Sequence, residues 1–117
     1  MIDGALTIGY LHPGHVSHAF SSSLLEVIMN DMQGSQRLFS HDRWRLAHEV
    51  GSGGIVKGRN QLAEATLESE AEWLFMVDSD MAFGADIVER LIATAEAEDL
   101  KVVGALAFAS KTDGMKE

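Results

Sequence analysis

Short apolar runs alternate along the chain with longer segments in which apolar residues recur every three or four positions. Short runs rich in branched and aromatic residues are typical of buried strands, and the longer spacing is typical of helices. The pattern predicts strands at about 5–10, 44–50, 73–78 and 101–107, and helices at about 17–32, 55–69 and 84–97. Because strands and helices alternate, we expect a three-layer α/β sandwich with a mainly parallel sheet and right-handed crossovers.

Two of these segments carry further information. In the segment 17–32, Ser17 is a suitable N-cap, and Ser21, Ser22 and Ser23 are predicted to be mostly exposed. The predicted buried stripe recurs every four residues, with two neighbours beside it: Phe20, Leu24, Ile28 and Met32, with Leu25 and Met29. The segment 44–50 alternates apolar and polar residues, so we expect that strand to lie nearer an edge of the sheet than the others.

Composition fits a single domain over residues 1–117, because 46% of the residues are hydrophobic. The formal charge of −9 argues against nucleic acid or an anionic membrane as a bulk partner. The absence of cysteine excludes disulfides and thiolate chemistry. A basic N-terminal region and an apolar run of about 20 residues are also missing, so we expect no signal peptide and no membrane span, with a cytoplasmic location as the default.

A pair of carboxylates directly follows the most apolar of the predicted strands. Trp73-Leu74-Phe75-Met76-Val77 leads into Asp78-Ser79-Asp80. A buried parallel strand delivers its last residues to the carboxyl edge of the sheet, where ligands bind. Residues two apart on an extended strand point to the same side, so Asp78 and Asp80 are predicted to bind Mg²⁺ or Mn²⁺ together with a substrate diphosphate. The alternative is a strand that ends in a solvated acidic turn.

Glycines and two cations precede the same strand. Gly51-Ser52-Gly53-Gly54 leads towards Lys57 and Arg59, the only cations between Arg45 and Arg90. The segment lacks both the Gly-Lys-Ser/Thr of a P-loop and the glycine spacing of a dinucleotide fingerprint. Glycines before a helix free backbone N–H groups for an anion, so this segment is either an anion site or an ordinary charged surface.

Three histidines follow the first predicted strand at intervals of three, namely His12, His15 and His18. A zinc site is one interpretation, although metal-binding pairs on a helix usually lie four apart. Histidines of a turn and a helix N-terminus are the other interpretation. This loop leaves the carboxyl end of a predicted parallel strand, as the Asp78–Asp80 segment does.

The order of these motifs resembles the core of glycosyltransferases of the GT-A fold, and of their family-2-like members in particular. The matching positions are Gly53 to Asn60, Leu62, Ala65, Trp73 to Met81, Phe83, Asp86, Leu91 and Val102 to Gly104. The resemblance extends in order over about residues 5–108 and is strongest from Gly53 to Leu91. It implies a Rossmann-like fold that binds a nucleoside-diphosphate sugar through a divalent metal and transfers the sugar to an acceptor.

The resemblance also implies roles for individual residues. Asp80 binds Mn²⁺ or Mg²⁺ on the donor diphosphate, and Asp78 contacts the ribose or shares the metal. Arg59 approaches the diphosphate, and the metal stabilises charge on the departing nucleoside diphosphate. The remaining residues of the implied nucleotide-sugar site are Tyr10, His12, Glu49, Lys57 and Ser79.

The chain departs from the family pattern in two ways. The interval between the first predicted helix and the Arg59 segment is short, and the family has its acceptor site and catalytic base beyond the region that matches here. The resemblance therefore covers the donor-binding half, and we expect a truncated catalytic domain or a minimal nucleotide-binding protein. A donor half alone should expose apolar surface near Val102 to Phe108, which predicts a homo-oligomer.

Two alternatives remain open. In a haloacid-dehalogenase-like phosphatase Asp78 would attack phosphorus and Asp80 would act as acid and base. That family expects Thr or Val where this chain has Ala82, and its further motifs find no room downstream. The second alternative is a non-catalytic domain for nucleotide binding or assembly, since fold analogy alone does not supply function.

Overall fold

A computed structural model describes residues 2–39, 46–50, 54–69 and 71–106 of the chain. It is a small α/β protein whose elements follow one another as β1 Ile2–His12, α1 His18–Gln33, β2 Leu46–Val50, α2 Ile55–Ser69, β3 Ala71–Met76 and α3 Ile87–Ala97. The predicted bounds hold for α2, shift by one residue for α1 and begin three residues too early for α3. Residues 44 and 45 of the second predicted strand lie outside the described residues.

The three strands form one parallel sheet in the order β2-β1-β3. Ile8 in the middle of β1 is paired with Leu46 of β2 on one side and with Phe75 of β3 on the other. This order confirms that the first strand neighbours the strand before Asp78. Among the described strands β2 and β3 both lie at edges, so the prediction that the second strand lies nearer an edge than the others is not confirmed. β1 and β3 are neighbours as far as Gly9 and Met76, so their carboxyl ends lie side by side at the edge where α/β sheets bind ligands.

One face of the sheet packs against α1 and α3. Leu6 and Ile8 are buried there beside Val27 of α1 and beside Val88 and Ile92 of α3. Partly buried side chains extend this core: Leu24, Ile28, Trp73, Phe75, Val77, Phe83 and Ile87. The even positions of β1 and the odd positions of β3 supply the core residues, as the two-residue period of a strand requires.

The opposite face of the sheet packs against α2 at close range. Leu62 of α2 is fully buried, and a Cβ atom placed on Gly9 of β1 would lie 3.4 Å from its Cδ1 atom. A Cβ atom on Gly58 would lie only 2.6 Å from Cδ2 of Leu11. Glycines at 9 and 58 therefore let the N-terminal half of α2 approach the carboxyl end of β1.

The buried face of α1 differs from the predicted stripe. Leu25, Met29 and Met32 are exposed, whereas Ser23 and Asp31 are buried. The reason is geometric: a helix turns about 100° per residue, so each four-residue step drifts by about 40°, and Met32 lies about 120° around the helix from Phe20. The predicted stripe thus rotates out of the core, and the prediction that Ser23 is exposed is wrong.

Buried polar contacts compensate for the polar residues on that face. The Asp31 carboxylate accepts the backbone N–H groups of Arg37 at 2.7 Å and Leu38 at 2.9 Å. Arg37 in turn donates to Glu89 of α3 through Nε at 2.8 Å and Nη2 at 3.2 Å. The hydrogen bond from Arg37 lowers the pKa of Glu89. Asp31 and Arg37 together fasten the segment after α1 to α3.

The predicted fourth strand at 101–107 is not confirmed. Residues 101–106 are described without strand pairing, and Val102 and Leu106 are 87% and 81% exposed; residue 107 lies outside the described residues. α3 packs on the same face of the sheet as α1. A parallel strand reached through α3 and placed beside β3 would need a crossover opposite in hand to the one through α1, and left-handed crossovers are rare.

Candidate functional site

The loops that follow β1 and β3 meet at the carboxyl edge of the sheet. The backbone N–H of Ser17 donates to the carbonyl oxygen of Ser79 at 3.1 Å, and that of Val77 donates to the carbonyl oxygen of Gly9 at 3.1 Å. These bonds place the segment before α1 directly against the Asp78–Asp80 segment. The two loops therefore share one edge, as the sequence predicts.

The carboxylate pair lies in a turn and not on an extended strand. β3 ends at Met76, and the backbone N–H of Met81 donates to the carbonyl oxygen of Asp78 at 3.2 Å, which closes a four-residue turn. The prediction that extended geometry aligns the two side chains is therefore wrong. Asp78 and Asp80 are nevertheless both exposed and both line the same groove.

One predicted cation reaches the carboxylate pair. Nη2 of Arg59 donates to Oδ1 of Asp78 at 3.4 Å, with the two side chains 49% and 66% exposed. Arg59 follows Gly58, so the close approach of α2 to β1 brings its side chain to this edge. Lys57 is exposed on the first turn of α2 and is not among the residues that line the groove.

Tyr10 and His12 form the end of β1 on the other side of the shared edge. Their ring centroids are 5.8 Å apart, and Tyr10 also packs against Phe20 at 5.0 Å. Nδ1 of His12 accepts the backbone N–H of Gly14 at 3.0 Å, so the neutral imidazole carries its hydrogen on Nε2. Neither residue lines the groove that contains Asp78. The backbone of Glu49 is in register with Leu11, near the same carboxyl edge.

A groove of about 1290 Å³ runs from the carboxylates along β3 and α3. Its polar end consists of Arg59, Asp78 and Asp80, and the rest is mainly apolar. We call this space the β3 groove. Its apolar walls come from residues 73–77 of the β3 strand and its end, residues 81–84 of the following loop, one face of α3 and residues 102–106; the α3 residues are Ile87, Val88, Leu91 and Ile92. Within these walls, Nε1 of Trp73 is buried and has no hydrogen-bond partner among the described residues.

The sequence does not reveal the contacts that form this groove. The hydroxyl oxygen of Ser23 accepts the backbone N–H of Phe83 at 3.0 Å, and the Phe83 ring meets Phe75 at 5.7 Å and Phe20 at 6.0 Å. These contacts hold the segment after Asp80 against the α1 face. A serine inside a run of serines gave no signal of this role, because its burial depends on how α1 is rotated.

The described residues contain no group of three or more His, Asp or Glu side chains able to hold a metal. His12, His15 and His18 are all described, so the zinc interpretation finds no support. Asp78 and Asp80 offer hard oxygen ligands of the type that Mg²⁺ and Mn²⁺ prefer. Two carboxylates would leave most of an octahedral shell to water and to phosphate oxygens, which fits a metal that arrives with a diphosphate.

Comparisons of the chain with protein-family models, with curated proteins and with solved structures found no match. The resemblance to GT-A glycosyltransferases consequently stays a prediction from the motifs. In the part of the chain that the structure describes, no helix combines the length and the apolar character needed to cross a membrane.

Proposed function

We propose that the chain is a glycosyltransferase-like domain that binds a nucleoside-diphosphate sugar through Mn²⁺ or Mg²⁺ at Asp78 and Asp80. The observation that carries this proposal is the juxtaposition of Arg59 with an exposed carboxylate pair at the shared carboxyl edge of β1 and β3. A diphosphate needs cations, and in a chain of net charge −9 they must be placed locally or supplied by a metal. At this edge Arg59 supplies a local positive charge, and the carboxylate pair can bind a metal.

The proposal includes a Rossmann-like, three-layer architecture of the GT-A type. Its support is that α2 packs on one face of the sheet while α1 and α3 pack on the other. The β2-β1-β3 order also places the carboxylates at the carboxyl edge between two neighbouring parallel strands. A fourth strand, if one pairs with β3, would have to reach it by a route other than a right-handed crossover through α3.

Each residue of the proposed site has a physical task. Asp80 binds the metal, and Asp78 shares it or accepts from the ribose hydroxyls. Arg59 donates charge-assisted hydrogen bonds to the diphosphate. Tyr10, His12 and Ser79 border the nucleotide, and Lys57 and Glu49 flank the site from α2 and β2. When bound, the metal neutralises the charge that develops on the leaving diphosphate. Transfer to an acceptor further requires an acceptor site.

A second candidate is a domain that functions by assembly. Val102 and Leu106 are both highly exposed beside the β3 groove, and exposed apolar surface of this kind drives association. We therefore retain the homo-oligomer as part of the proposal. The phosphatase alternative gains no comparable support from the described residues.

Isothermal titration of several nucleoside diphosphates, with Mn²⁺ and with EDTA, tests the proposed function. We expect metal-dependent binding by the parent chain and the loss of this metal-dependent binding in Asp80→Asn, because the variant removes a direct ligand of the metal. Glu68→Gln is the matched control, since Glu68 is exposed on α2 and lies outside the groove. Equal binding by Asp80→Asn and the parent would show that the carboxylate pair is only a solvated acidic turn.

A further inference from the structure

A single guanidinium engages one of the two carboxylates that the proposed metal needs. Arg59 donates to Asp78 at 3.4 Å, whereas Asp80 makes no ion pair with any described residue. The two carboxylates line the same groove, yet among the described residues only Asp78 forms an ion pair with a cationic side chain. This asymmetry distinguishes two residues that the sequence motif treats alike.

We propose that Arg59 exchanges Asp78 for the diphosphate when the nucleotide binds, so that diphosphate and metal bind as a coupled pair. The inference rests on the proposed function and adds an order of events to it. A guanidinium at this distance repels a second cation and engages an oxygen that the metal would use. When the Arg59 guanidinium moves to the diphosphate, both carboxylates become available to the metal.

The competition for Arg59 favours the diphosphate. A guanidinium makes paired, charge-assisted hydrogen bonds to phosphate, but its contact with Asp78 is single and long. Both partners are also largely exposed, and exposed ion pairs contribute little to stability. The exchange therefore replaces the weak contact of Arg59 with Asp78 by a stronger contact with the diphosphate.

The backbone on both sides can remain in place during this exchange. The N-terminal half of α2 lies close to Leu11 at Gly58, and the carbonyl oxygen of Ser79 accepts the backbone N–H of Ser17. Only the long side chain of Arg59 has to move. By linkage, bound diphosphate raises the protein's affinity for the metal by the same factor by which bound metal raises its affinity for the diphosphate.

The first experiment measures Mn²⁺ binding without any nucleotide, from the electron paramagnetic resonance signal of free Mn²⁺. Arg59→Ala should bind Mn²⁺ about two- to five-fold more tightly than the parent chain, since an exposed pair has about that strength. Arg90→Ala removes the same charge from an exposed position of α3 outside the groove. Equal changes in the two variants would show a general charge effect and overturn the exchange.

The second experiment measures binding of inorganic pyrophosphate in EDTA by calorimetry. Asp78→Asn and Asp80→Asn each remove one negative charge, but only Asp78→Asn releases Arg59. We expect Asp78→Asn to bind pyrophosphate about two- to five-fold more tightly than Asp80→Asn. The double variant Arg59→Ala/Asp78→Asn should lose this advantage. Identical affinities of the two single variants would contradict the exchange.

The outcomes separate the exchange from the function on which it rests. If the parent chain binds nucleoside diphosphates with Mn²⁺ while both variant comparisons show no difference, the exchange is wrong and the proposed function stands. If the parent chain binds no nucleoside diphosphate with or without Mn²⁺, the proposed function is wrong and the exchange falls with it. Circular dichroism of each variant checks that the fold is intact.

Discussion

Replacing Asp31 by alanine should destabilise the protein more than any other single loss of a carboxylate in α1. The Asp31 side chain is buried, and it accepts the backbone N–H groups of Arg37 and Leu38. The alanine variant leaves both donors without this acceptor. Because Leu38 is fully buried, its N–H group cannot recover a hydrogen bond from water without local opening.

The magnitude follows from those two bonds. A hydrogen bond to a charged group contributes about 1.5–3 kcal/mol, so two of them set an upper range of about 3–6 kcal/mol. The Arg37 N–H lies in a half-buried residue and can be rehydrated, which reduces the expected loss to about 2–4 kcal/mol. For a domain with a typical stability of about 5–15 kcal/mol, this is a substantial fraction.

Urea unfolding monitored by circular dichroism measures this loss, with two matched variants. Asp31→Asn keeps one acceptor oxygen and should fall between the parent and Asp31→Ala. Glu26→Ala removes a carboxylate from an exposed position of the same helix and should change the free energy of unfolding by less than about 0.5 kcal/mol. The reasoning is refuted if Asp31→Ala and Glu26→Ala unfold at the same urea concentration.

Three further predictions concern acid stability, assembly and the phosphatase alternative. The hydrogen bond from Arg37 lowers the pKa of Glu89. The pair therefore stabilises the fold at pH values above the ordinary carboxyl pKa, and this stabilisation is lost as the pH falls through the lowered pKa. In Glu89→Gln, the urea midpoint of unfolding should fall less steeply on the acid side than in the parent chain. Light scattering should show a homo-oligomer that Val102→Lys with Leu106→Lys dissociates, and a parent chain that is monomeric at high concentration would contradict this prediction. Beryllofluoride, which mimics an aspartyl phosphate, should not bind at Asp78, and a stable adduct seen by ¹⁹F NMR would restore the phosphatase alternative.

Patterns of apolar residues predict the alternation of strands and helices well, because both periods are properties of the local backbone. They predict the buried face of α1 poorly. A four-residue repeat looks helical, but its drift carries Met32 away from the core, and the residues that replace it include Asp31 and Ser23. Polar residues of this kind are buried only because partners far along the chain accept or donate hydrogen bonds, and no local pattern records such partners.

The sequence likewise predicts some features of the candidate site and not others. The apolar run before Asp78 correctly indicates a strand beside β1, and its carboxylates lie at the shared edge with Arg59. The turn at Asp78 was not predictable from the two-residue spacing, since Asp-X-Asp fits both an extended strand and a turn. The predicted strand at 101–107, which is not confirmed, would also depend on which face α3 covers, and an apolar run cannot specify that face.

The parallel pairing of β1 with β3 has a consequence for how the protein folds. Gly9 and Met76 are neighbours in the sheet, although two helices and a strand separate them along the chain. Closing so long a segment costs chain entropy before any pairing compensates for it, and such contacts form late and slowly. We therefore expect the edge that holds Arg59 and Asp78 to be completed near the end of folding. Metal-dependent nucleotide binding would then follow the formation of the native state more closely than helical content, which can form earlier.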